Sequence, residues 1–174
     1  MSSKTTTATI RGPVDSRSSL LADRIEEGAA LLAAFAEGLS QEEWDTPVSA
    51  TDRRPVGLII HHVASMYPIE IDAARAIASG KAVRDVTWDV VAELNAKHAQ
   101  QHARETKAAA LELLRRNSRE AANAVREFTD EDLDRAAPFS LSFGAPVTAQ
   151  FVIEDHALRH SWHHLARIRI ALGR

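Results

Sequence analysis

Pro55-Val-Gly-Leu-Ile-Ile-His-His-Val-Ala-Ser-Met-Tyr-Pro-Ile-Glu-Ile-Asp-Ala-Ala-Arg-Ala-Ile-Ala78 is the stretch that decides the fold. Proline is tolerated in the first turn of a helix, where its missing N–H has no partner to lose, and Gly80 stops the run. With 100° per residue and His62 at the centre of a stripe, Leu58, Ile59, Met66, Ile69, Ala73 and Ile77 fall within about 60° of it. The spacing therefore predicts an amphipathic helix with His62 facing a core. His61 falls a quarter-turn away, among Gly57, Ser65, Pro68 and Asp72, which places it on the flank. Pro68 removes one backbone hydrogen bond and predicts a kink just beyond His62, widening the mouth of any pocket there.

The same period runs outward in both directions. A first helix is expected from about Arg17 to Glu37, with Leu20, Leu21, Ile25, Leu32 and Phe35 inward and Gly38 following it. Ser40-Gln-Glu-Glu43 has the capping-box pattern and opens a short turn carrying Trp44. A third segment opens near Trp88, carries Asn95, His98 and His102, and continues, straight or kinked near Arg104, to Phe128. Thr129-Asp-Glu-Asp132 restarts a short turn, residues 138–146 read as a loop, and a last helix spans about Val147 to Leu172. No segment alternates with period two for more than a few residues, so less than about a tenth of the chain is expected in strand. The fold class that follows is all-α, a four-helix bundle over residues 17–174, preceded by a mobile tail at residues 1–16.

Composition narrows the function. The 174 residues carry a net charge of −3 and no cysteine. Without a basic block, a nucleic-acid surface is not indicated. The apolar runs fall short of the roughly 20 residues of a membrane span, and the N-terminal stretch lacks an apolar signal region. The expected compartment is the cytoplasm. The absence of cysteine excludes a disulfide scaffold and a cysteine nucleophile.

Histidine carries the chemistry. His160 and His164 are spaced i, i+4 in the last helix, so their rings leave the same side, about 5–6 Å apart at Cβ. Together with His62 they offer three imidazoles to one ion. Each buried ring nitrogen without a partner costs about 1–3 kcal/mol, whereas a bound zinc ion contributes roughly ten or more. The set therefore reads as a site for one divalent ion, with zinc or nickel expected from its all-imidazole donors. His156, His163, His98 and His102 are expected on flanks or solvated faces, although His156–His160 and His98–His102 are also i, i+4 pairs. The last helix also carries Phe151, Leu158 and Trp162 on its far side, so it is expected between several neighbours or in a subunit interface. A di-iron bundle is excluded, since no histidine follows a glutamate or aspartate by three residues. No Gly-x-Ser-x-Gly elbow supports a serine hydrolase.

His62-Val-Ala in the second helix and His160-Ser-Trp-His-His164-Leu-Ala-Arg-Ile in the last resemble the DinB/YfiT-like superfamily of candidate metalloenzymes. The likeness spans residues 18 to 172 and includes Glu43-Trp44, Asn95 and the Asp-Glu-Asp-Leu133 turn. It implies a four-helix bundle, often a homodimer, with His62, His160 and His164 as metal ligands. It also implies thiol-dependent transferase or isomerase chemistry, in which a metal-bound thiolate attacks a small electrophile. With no cysteine in the chain, the thiol would be a low-molecular-weight cosubstrate. Arg167, one turn beyond His164, is the candidate catalytic residue, placed to hold a substrate carboxylate or, equally, to complement the helix C-terminus. The alternative is a non-catalytic, metal-stabilised dimerisation or stress-response module.

Overall fold

The computed structural model describes residues 16–174; the expected N-terminal tail otherwise lies outside the described residues. In chain order the elements are α1 (Arg17–Glu37), α2 (Gln41–Asp45), α3 (Val56–Ala78), α4 (Trp88–Gln101), α5 (Lys107–Arg126), α6 (Asp130–Asp134), β1 (Ala136–Pro138), β2 (Pro146–Thr148), α7 (Ala149–Val152), a π-helical turn (Ile153–Leu158) and α8 (Arg159–Leu172). The helices form the all-α bundle, with α1 and α3 each packed between α5 and the final helical run. Ile25, Leu32, Ile59, Ile60, Tyr67, Ile77, Leu114 and Ile168 are fully buried between them. No helix among the described residues is long and apolar enough to cross a membrane.

Local chemistry sets the boundaries. Ser16 caps α1 by accepting from Ser19 N, and reciprocal capping boxes start α2 at Ser40 with Glu43 and α6 at Thr129 with Asp132. Gly173 ends α8 at φ +66°, a left-handed conformation that disfavours any residue with a Cβ.

On α1, Leu21, Ile25 and Leu32 face inward as expected and Phe35 packs against the core, but Leu20 does not. Leu20 is half exposed, and the buried arc is carried largely by Ala22, Gly28, Ala29, Ala33 and Ala36. Small side chains let α5 and α8 approach closely, so burial follows helix proximity rather than residue size. Gly28 lies directly beneath Trp162, where an added Cβ would fall 2.5 Å from Nε1 of the indole. Ile69 is also exposed despite its place on the α3 stripe.

Pro68 sits inside α3, which runs unbroken through it. Proline cannot donate to the carbonyl four residues back, and that carbonyl, Ala64 O, instead accepts from Asn117 Nδ2 of α5 at 2.8 Å. The carbonyl that Pro68 leaves free is thus satisfied by a neighbouring helix.

Three further departures from the sequence reading matter. The third segment is two helices, broken at His102–Thr106, because Thr106 caps a new helix by accepting from Ala109 N. The 138–146 stretch is the turn of an antiparallel hairpin, with Ala136 opposite Thr148 and Pro138 opposite Pro146. Each strand is three residues long, too short for an alternation to register. The last helix is interrupted by the π turn immediately before His160.

Candidate metal centre

His62 comes from α3, and His160 and His164 come from the first turns of α8. One ring nitrogen from each lies within 4.8 Å of the other two. The His62 ring stands edge-on to His160 at 5.1 Å and to His164 at 5.8 Å between centroids, while His160 and His164 are 4.9 Å apart. Tyr67 and Ser161 join α3 to α8 beside them through a buried hydroxyl pair at 2.7 Å.

The electrostatics favour neutral imidazole, the ligating form. Burial, followed by the neighbouring His160, pushes His62 down to about 3 and His164 down to about 2. Nδ1 of His62, His160 and His164 is in each case buried without a hydrogen-bond partner. For His160 this nitrogen lies 2.6 Å from Glu70 Oε1, an ion-pair distance, but off the line of the ring N–H. Glu70, on α3, is itself largely buried and has a second orphaned oxygen, Oε2. A carboxylate behind an imidazole fixes its tautomer and leaves Nε2 for an ion. Sequence reading missed Glu70. Its signal was an acid set between Ile69 and Ile71, two turns beyond His62.

Arg167 is engaged by Asp52, which accepts from its Nη2 at 3.3 Å. Asp52 also accepts from Arg54 Nε at 2.8 Å and Nη2 at 2.7 Å, and these bonds hold its carboxyl well below the usual carboxylate range. The pair places two guanidinium groups around one half-buried acid, which holds Arg167.

The flanking histidines divide. His163 is exposed, as expected. His156 packs edge-on against Phe139 at 5.5 Å. His156 lies inside the π turn, and its ring nitrogens are not among those gathered with His62, His160 and His164. His61 and His98 contradict the flank and solvated-face expectation: both are buried, and one nitrogen from each falls within 4.8 Å of one from the partly exposed His102. The reason is that residues 56–64 of α3 are buried all round, so this part of the helix has no solvated flank. A groove of about 370 Å³ lies between α1 and α5, lined by residues including Glu26, Ala30 and Arg115, and no histidine borders it.

The DinB superfamily pattern matches residues 24–168, and the chain belongs to that superfamily. Among solved structures it is similar to YfiT from Bacillus subtilis, with 19% identity over 98% of this chain and 93% of that one, at a TM-score of 0.72. That protein is described as "a probable metal-dependent hydrolase with an unusual four-helix bundle topology". No curated protein matches the chain.

Proposed function

We propose that His62, His160 and His164 hold one divalent ion, zinc or nickel, and that the chain is a metal-dependent enzyme acting on a small electrophilic substrate. The observation that carries the reading is the convergence of three largely buried imidazoles, two held neutral by burial, with Glu70 behind one of them. Three protein ligands are the number found in catalytic zinc sites, where a further position is kept for a non-protein group. Bound there, the ion supplies Lewis acidity and a full +2 charge, which lower the pKa of an incoming thiol or water.

The chain's own groups then have distinct tasks. Glu70 holds the His160 ring. Asp52 presents Arg167, whose remaining N–H donors are free to receive a substrate carboxylate. With no cysteine present, the nucleophile comes from solution, and the preferred reading is a low-molecular-weight thiol, making the protein an S-transferase or isomerase. Water as the nucleophile is the second reading, favoured by the hydrolase description of the similar Bacillus subtilis protein. The same reading takes the chain as a cytoplasmic homodimer, with exposed Ile170 and Phe151 as surface for a second copy to cover.

Cobalt substitution tests this. Titrating the cobalt protein with sugar thiols of the mycothiol and bacillithiol type is expected to produce a sulfur-to-cobalt charge-transfer band that His164→Ala abolishes. No band, together with hydrolysis of a simple ester or amide, selects water. No band and no turnover with any electrophile selects the non-catalytic dimerisation module.

A further inference from the structure

We propose that His61, His98 and His102 form a second divalent-metal site, beside the first triad and sharing no ligand with it, which staples α4 to α3; the His98 ring stands edge-on to His62 at 5.5 Å between centroids. The donors come from two elements: His61 from α3, His98 from the last turn of α4, and His102 from the C-cap of α4. His61 Nδ1 lies 2.9 Å from His98 Nε2. In a tetrahedral shell with Zn–N bonds of about 2.0–2.1 Å, neighbouring nitrogens are roughly 3.3 Å apart, so the two rings need to part by only about 0.4 Å. An ion would take the place of the proton they now share. The third ring is already gathered, stacked on His61 with centroids 4.3 Å apart and 4.8 Å from that of His98.

His102 Nδ1 meets Glu105 Oε1 at 3.0 Å. That contact fixes the ring and leaves Nε2 for an ion, the carboxylate–histidine arrangement common behind ligating imidazoles. In the first triad Glu70 likewise lies beside a histidine, His160, at 2.6 Å, but without the hydrogen bond that Glu105 makes to His102.

A second, independent observation concerns α4 as a whole. His98 is its only buried residue, and its large apolar side chains Trp88 and Leu94 are 56% and 44% exposed. A helix normally docks through an apolar stripe; this one docks through a histidine, whose Nε2 meets His61 Nδ1 at 2.9 Å and Ser65 Oγ at 3.5 Å. Imidazole–imidazole contact is a weak anchor for fourteen residues. An ion ligated from both helices supplies the missing attachment, because metal binding that requires the folded arrangement is folding free energy.

The test is zinc stoichiometry combined with hydrogen exchange on the full chain. His102 is partly exposed at a helix end, so His102→Asn leaves the bundle intact. Wild type is expected to bind two zinc ions per chain, and His102→Asn and His164→Ala one each. At zinc one-hundredfold above the dissociation constant, amide exchange in α4 of wild type should slow about a hundredfold. In His102→Asn it should not respond to zinc, and Glu105→Gln should weaken that site about 10–100-fold. Equal stoichiometry in wild type and His102→Asn, with α4 exchange indifferent to zinc, overturns the proposal. One ion in wild type, lost in His102→Asn but kept in His164→Ala, supports the second site and instead counts against the first.

Discussion

His164→Ala is expected to lower the zinc bound per chain by one equivalent and to weaken the affected site by more than a hundredfold. Removing a group that only orients a ligand typically costs 10–100-fold, so removing a ligand costs more. His164 is the informative position because it is buried and has no hydrogen bond at Nδ1 to sustain it in another role. In the metal-free protein its loss removes a desolvated polar ring, which leaves folding stability little changed. The expected pattern is therefore a binding defect without a folding defect. Calorimetric zinc titration beside thermal denaturation of the metal-free protein separates the two. His160→Ala should behave in the same way, with the added cost of leaving Glu70 buried without its partner.

Gly57→Ala should be the most damaging single methyl group in the chain. A Cβ at Gly57 would fall 2.1 Å from both Cε2 and Nε1 of Trp44, which is buried and held on α2 by its capping box. Neither ring nor helix can yield without opening the start of α3, the segment that delivers His61 and His62. Overpacking in a tight core costs about 1–3 kcal/mol and occasionally more. A contact this short belongs at the upper end, roughly 3 kcal/mol, or about 6–12 °C in Tm for a domain of this size. Trp44→Leu in the same chain should restore part of the loss, since it removes the obstructing ring. Thermal denaturation of the single and double variants reads this directly, and a single variant as stable as wild type would show that α2 does not press on α3.

Much of this was legible in the sequence because helices announce themselves through period and punctuation. Ser40, Pro55, Gly80 and Gly173 mark real boundaries, and the His62 stripe and the His160–His164 spacing bring three rings together as expected. What failed to show has a common physical cause. Helical projection assigns faces within one helix but cannot say which neighbour covers each face. Projection therefore puts His61 on a flank, although α4 lies across that flank and contributes His98 and His102. Glu70 was invisible for the same reason, since its partner His160 arrives from a helix ninety residues later. The π turn leaves no trace in composition, because Ile153-Glu-Asp-His-Ala-Leu158 is an ordinary helical sequence.

The central claim, that His62, His160 and His164 hold a divalent ion, is tested most directly by a crystal of the zinc-loaded protein measured on both sides of the zinc absorption edge. The account predicts an anomalous peak within bonding distance of one nitrogen from each of the three rings, about 2.0–2.1 Å, with at least one coordination position filled by a non-protein group. A well-loaded crystal with no anomalous density between these rings would contradict it.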